Sequence, residues 1–181
     1  AEAAALVSLY GARPEKVHVV TPGVDLEQFS VVPKIIKDKY TISFVGRIQP
    51  HKGPEVLIRA INEMMSHNPE LRSNLQELIT GGASGVKSHE DIRLRELVSW
   101  LKLDDVIKFL EPISRDKLPD LYRASDLVCV PSYSESFGLV ALEAQACGTP
   151  VVASAVGGLR TAVADGISGV LVDGHNPKAW S

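Results

Sequence analysis

Cysteine is scarce in this chain. Two occur, Cys129 inside DLVCVP and Cys147 near the end of a helical pattern. Neither stands at metal-ligand spacing and both settings are apolar, so they are expected as buried, reduced thiols of a cytosolic protein. Long apolar runs are missing as well: none approaches the roughly 20 residues that cross a bilayer. No extended basic block interrupts a net charge of −3. That leaves no global electrostatic footprint for nucleic acid and no strong membrane signal. The connection SVVPKIIKDK at 30–39 carries lysines and a proline, and reads as a solvated linker. Repeats and low-complexity tracts are absent. The chain also lacks an initiator methionine and opens on AEAAALVSLYG, a helical pattern rather than a signal peptide. It reads as part of a longer protein.

What is present suits one globular domain with a real core: 181 residues, 45% hydrophobic and 23% charged. Apolar β-branched runs alternate with helical periodicity. Residues 1–10 read as a helix ended by Gly11, and VHVV at 17–20 as a short buried strand broken by Thr21-Pro22-Gly23. TISFVG at 41–46 reads as a strand covered on both faces, followed by a helix that Pro54 opens. A strand at 75–80, a helix at 92–103 and a strand at 106–110 come next. Ser114 is expected to cap a short helix that holds Pro119 as an irregularity. DLVCVP, PVVAS at 150–154 and GVLVD at 169–173 read as strands, separated by helices at 138–147 and 158–164. Pro177 opens a last helix. This alternation predicts an α/β fold with a doubly wound, mainly parallel, Rossmann-like sheet. The loops 46–53, 81–85, 111–114 and 132–138 all follow strands. They should therefore gather at the carboxyl edge, where such folds bind ligands.

The stretch that carries most chemistry is YSESFGLVALEAQACGTP, residues 133–150. A loop with Ser134, Ser136 and Gly138 lets backbone N–H groups approach a ligand, and the helix that begins there aims its positive end at the same place. The amides of Phe137, Gly138 and Leu139 are candidates for a diphosphate. Glu135 lies outside the helix and Glu143 about a turn and a half inside it. Two carboxylates suggest a glycosidase, but that chemistry needs them about 5–9.5 Å apart across one bond. Eight helical residues span about 12 Å, so this pair suits gripping two ends of one ligand. A phosphate cradle between two hydroxyl-binding carboxylates outlines a nucleotide-sugar site. Arg47 and Lys52 share the loop after TISFVG; on spacing alone they are a solvated pair, although two cations there would offset diphosphate charge. His51 between them reads as a surface histidine. The cluster Gly81-Gly82-Ala83-Ser84-Gly85 is by itself a turn signal. A nicotinamide-dependent oxidoreductase would show G-x-G-x-x-G after its first strand, and FVGRIQPHKG does not.

ESFGLVALE resembles the E-x7-E element of the retaining glycosyltransferases of family 4, which have the two-domain GT-B architecture. VVTPGVD at 19–25, FVGRIQPHKG at 44–53, TGGASG at 80–85, SDLVCVPSYSESFGLVALEAQACGTPVVAS at 125–154, GGLRTAV at 157–163 and GVLVDGH at 169–175 are similar to that family in the same order. GRIQPHKGP and VDGHNPKAW resemble in particular its mycothiol-pathway branch, which transfers N-acetylglucosamine from UDP to inositol 3-phosphate. Sucrose-phosphate synthases and other family-4 hexosyltransferases share much of the rest. The resemblance implies that the chain is the C-terminal, donor-binding half of such an enzyme. Residues 1–29 would then be an interdomain segment with a first strand, and 30–181 the nucleotide-sugar domain. An N-terminal acceptor domain and the last helices would lie elsewhere.

By the same resemblance Arg47, Lys52 and Glu135 are catalytic. Arg47 and Lys52 meet the diphosphate, Glu135 the hydroxyls of the donor sugar, and Glu143 the ribose. Gly82 lies beside the nucleotide, the main chain at Ile113 meets uracil, and Ser136, Phe137, Gly138 and Leu139 complete the donor site. The branch carries an arginine where this chain has Ile113, so a side-chain contact is lost there. The branch also implies a structural magnesium, held mostly through main-chain groups at Tyr122, Arg123, Ser125 and Thr149, with no cofactor required for transfer. The partners implied are a UDP-sugar and the protein's own acceptor domain, in the cytoplasm. The isolated chain is expected to transfer little or no sugar. A non-catalytic nucleotide-sugar-binding module would use the same binding residues and stays open beside the enzyme.

Overall fold

The computed structural model describes residues 2–20, 22–33, 37–82 and 89–181. Among them six strands form one sheet: β1 (Tyr40–Val45), β2 (Leu75–Thr80), β3 (Ile107–Leu110), β4 (Leu127–Val130), β5 (Val151–Ser154) and β6 (Gly169–Val172). Their order is β3-β2-β1-β4-β5-β6 and every pairing is parallel. The expected Rossmann-like α/β fold is therefore what forms. The helices are α1 (Glu2–Tyr10), α2 (Pro54–His67), α3 (His89–Trp100), α4 (Leu118–Ala124), α5 (Leu139–Ala146) and α6 (Leu159–Ala162).

A central parallel strand is covered on both faces, which is why β1 reads as an unbroken apolar run: Thr41, Ile42, Ser43 and Phe44 are all buried. Ile42 and Phe44 pack with Leu57, Ile61, Leu94 and Val98 of α2 and α3 on one face. On the other, Val128, Val130 and Val151 pack with Tyr122 of α4, Ala141 and Ala144 of α5, and Leu159 of α6. α2 starts where sequence placed it, with Pro54 in its first turn behind Gly53 at φ 71°. Among the described residues no helix is long and apolar enough to cross a membrane.

Five local expectations are corrected. The strand expected at 17–20 is unpaired coil, with Val19 77% and Val20 83% exposed; a β-branched run becomes a strand only where a neighbour takes its backbone groups. α3 begins and ends earlier than 92–103. Its end is set by Lys102, which takes a left-handed φ of 57° so that Leu103 N–H returns to the Val98 carbonyl. A glycine normally does this, and its absence concealed the boundary. Pro119 is no irregularity, since it sits in the first turn of α4, where a missing N–H costs nothing. Ser114 lies outside that helix; its carbonyl accepts from Lys117 N–H and closes the preceding turn. Pro177 opens a 3₁₀ turn, Pro177–Ala179, whose following Trp180 packs on Val56 and Ala60 of α2.

Several buried residues are polar, and one buried carboxyl among the described residues stands without a partner. Glu77 of β2 lies between Ile42 and Ile107 in the sheet, fully buried, and neither carboxylate oxygen has a hydrogen-bond partner. Burial pushes its pKa up to about 8.

Candidate functional site

All strands point the same way, so the segments after β1, β2, β3 and β4 meet at one edge. The sheet reverses its winding between β1 and β4, the switch point at which folds of this kind form their ligand crevice. The β1 loop (46–53) and the β4 loop (131–138) are its two walls. Their approach is close: a Cβ on Gly53 would lie 2.0 Å from the Pro131 carbonyl, and Tyr133 N–H donates to the His51 carbonyl at 2.8 Å. Across this junction Lys52 Nζ meets Glu135 Oε2 at 2.7 Å. Their side chains are 21% and 19% exposed, so the pair is partly shielded from solvent yet still reachable.

Arg47 is exposed and makes no side-chain hydrogen bond or ion pair among the described residues. Its main chain abuts Gly81, where a Cβ would lie 1.6 Å from the Gly46 carbonyl. Gly81 therefore has a packing reason to be glycine. Gly82 borders the Pro112 ring, while Ala83, Ser84 and Gly85 lie outside the described residues. Ile113 is half-buried in the segment after β3, and Thr80 Oγ1 ties β2 to that segment by donating to the Glu111 carbonyl.

Gly138 takes φ 73° as the cap of α5, and no side chain caps the first turn. The leading N–H groups of α5 thus keep their unspent donors and the positive end of the helix dipole. Ser136, Phe137 and Leu139 are exposed around them. A groove of about 660 Å³ runs from Glu135, Ser136 and Phe137 past Gly157 and Gly158 to His18, Val19 and Val20. Glu143 is buried rather than displayed: Tyr122 Oη donates to its Oε2 at 2.9 Å, and Arg115 Nη2 lies 3.8 Å from Oε1.

Tyr122, Arg123, Ser125 and Thr149 do come together, at the C-terminal end of α4. There the Tyr122 carbonyl accepts from Thr149 Oγ1 at 2.6 Å and from Ser125 N–H at 3.0 Å. Ser125 Oγ donates to the Leu121 carbonyl, and Arg123 brings its guanidinium to the Ser30 carbonyl. A magnesium held there would need oxygens that protein donors already occupy, beside a cation. The side chains fit a hydrogen-bonded corner better than a metal site.

Sequence reasoning missed the supports of the crevice. Gly158 N–H donates to the Glu135 carbonyl at 2.8 Å. A Cβ on Gly157 would meet that carbonyl at 2.1 Å, and one on Gly158 would meet the Ser136 carbonyl at 2.3 Å. His175 stacks on Tyr133 with ring centroids 3.8 Å apart, and its Nε2 lies between Ser154 Oγ and the Ser132 carbonyl. The Gly-Gly pair stood out in sequence only by resemblance. Nothing in spacing announced His175, or Tyr122 as the partner of Glu143.

Comparison with known proteins agrees with this fold. The family model described as "Glycosyl transferases group 1" matches residues 26–181. The chain is 54% identical over 182 residues to D-inositol 3-phosphate glycosyltransferase of Kribbella flavida, covering 96% of this chain and 43% of that protein. Identity to the protein of the same name from Salinispora tropica is 51%, with coverage of 99% and 40%. The chain thus spans less than half the length of these relatives. Among solved structures, Anabaena Alr3699/HepE in complex with UDP and glucose matches with a TM-score of 0.82 at 26% identity, over 98% of this chain and 48% of that one. Sucrose-phosphate synthase from Thermosynechococcus elongatus matches with a TM-score of 0.74 at 35% identity, over 87% and 40%. Matched by that family model from residue 26 to residue 181, the chain belongs to the glycosyl transferases group 1 family.

Proposed function

We propose that this chain is the donor-binding domain of a retaining hexosyltransferase that uses a UDP-sugar. The observation that carries the reading is the Lys52–Glu135 contact of 2.7 Å at the switch-point crevice, beside the uncapped start of α5. A diphosphate lying on the α5 amides meets Lys52 from one side while Glu135 holds that lysine from the other. Arg47, unpaired among the described residues, adds a second cation. These groups offset the negative charge that grows on UDP as the glycosidic bond breaks. Glu135 also accepts from hydroxyls of the donor sugar, and Glu143 from the ribose. Gly82 and the main chain at Ile113 border the base. With no side chain poised as a nucleophile among the described residues, the acceptor attacks on the face that UDP leaves. Charge stabilisation by Arg47, Lys52 and α5 makes a divalent metal unnecessary for that step.

The relatives named D-inositol 3-phosphate glycosyltransferase support an inositol phosphate as acceptor, and the likeness of GRIQPHKGP and VDGHNPKAW to the mycothiol-pathway branch implies N-acetylglucosamine as the transferred sugar. The acceptor site then lies on a domain that precedes this one in the intact protein. Buried free thiols at Cys129 and Cys147 suit a cytoplasmic location. Calorimetric titration with UDP, UDP-N-acetylglucosamine, UDP-glucose and GDP-mannose tests the reading. UDP and its N-acetylglucosamine conjugate should bind, and Lys52→Ala should weaken both about tenfold or more. Preference for GDP-mannose, or indifference to Lys52→Ala, overturns it.

A further inference from the structure

Tyr122 is the largest fully buried side chain among the described residues, and its phenol lies in an apolar layer with Phe29, Val128 and Ala144. A buried hydroxyl needs a partner. Here the partner is Oε2 of Glu143, at 2.9 Å, reached across 21 positions of chain from α4 to α5. The other oxygen, Oε1, has Arg115 at 3.8 Å, too long for a hydrogen bond, so it keeps its accepting capacity. A glutamate side chain has three rotatable bonds, and free it would sample many directions at an entropic cost on binding. Fixing one carboxylate oxygen leaves the second in one place.

We infer that Tyr122 is a positioning residue that pins Glu143 so that its free oxygen reads the vicinal hydroxyls of a ribose. Recognition of a ribonucleotide over a deoxyribonucleotide donor then depends on a residue that never touches the ligand. This rests on the reading of Glu143 as the ribose acceptor. Burial, and next the adjacent carboxylate, push the phenol pKa far up, so Tyr122 remains a donor throughout the working range.

The test compares UDP with 2′,3′-dideoxy-UDP by calorimetry on wild type, Tyr122→Phe, Glu143→Gln and the double variant. Wild type should prefer UDP. Tyr122→Phe should lower the affinity for UDP about tenfold, the order of one hydrogen bond to a charged group, and leave dideoxy-UDP unchanged. In the Glu143→Gln background the same change should add nothing to the ratio of the two dissociation constants. A partly unfolded population lowers both affinities by one factor, so that ratio is insensitive to lost stability. A ratio unchanged by Tyr122→Phe, with Glu143→Gln still collapsing it, overturns the positioning role alone. Glu143→Gln leaving the ratio intact, or wild type failing to bind UDP, overturns the underlying reading as well.

Discussion

Glu77 offers a quantitative check on the core that carries the site. Its carboxyl is fully buried with both oxygens unpaired, and burial alone moves the pKa from 4.5 in the open chain to about 8 in the fold. The folded state therefore keeps the proton across a range in which the unfolded state has released it. Below pH 4.5 both states are protonated and the group costs no ionisation energy. As pH rises from 4.5 towards 8 the folded state loses stability relative to the unfolded one, and above 8 the loss levels off. The gap corresponds to about 4–5 kcal/mol in all, at about 1.4 kcal/mol per pH unit. Glu77→Gln removes the titration while keeping shape. Urea unfolding of both proteins at pH 5, 7 and 9 should show near-equal stability at pH 5. The variant should be ahead by about 3 kcal/mol at pH 7 and by 4–5 at pH 9. The Cys129 thiol, itself pushed up by burial and then by Glu77, keeps its proton in the folded state across that window, and its ionisation in the unfolded chain as pH approaches 9 is common to both proteins. A stability difference independent of pH would refute the reasoning.

Three further outcomes are expected. Glu135→Ala frees Lys52, so affinity for UDP alone should rise about two- to fivefold while the extra affinity for UDP-sugar over UDP disappears, both read by calorimetry. Gly158→Ala drives a Cβ to within 2.3 Å of the Ser136 carbonyl and 2.7 Å of the Phe137 Cα. Thermal melting should show a loss of about 1–3 kcal/mol, and UDP binding should weaken with it. Native Cys129, 4% exposed, should resist a thiol reagent until denaturant is added; rapid labelling in buffer would contradict its burial.

The sheet was legible in sequence because fully covered parallel strands leave a signature that needs no tertiary information. β1 carries a run of β-branched and aromatic residues, β2 keeps leucine and isoleucine at Leu75, Leu78 and Ile79, and each is closed by glycine. Pro54 and Gly138 marked helix starts because one residue has a fixed φ and the other tolerates a left-handed one. Where the signal depends on a partner, it failed: Val19 and Val20 have strand character but nothing to pair with, and Lys102 ends α3 in a conformation usual for glycine.

By itself, then, the sequence determined the winding of the domain, the edge at which its loops gather, and the residue types available there, since periodicity and turn chemistry are local properties. Only the tertiary structure decided which charges meet. Lys52 and Glu135 are 83 positions apart, and Tyr122 and Glu143 lie on different helices. Glu143 could have been a solvated helix carboxylate by any local rule. Packing of α5 on α4 buried it and handed one oxygen to a phenol, because burial depends on what covers a helix face and not on the face's own residues.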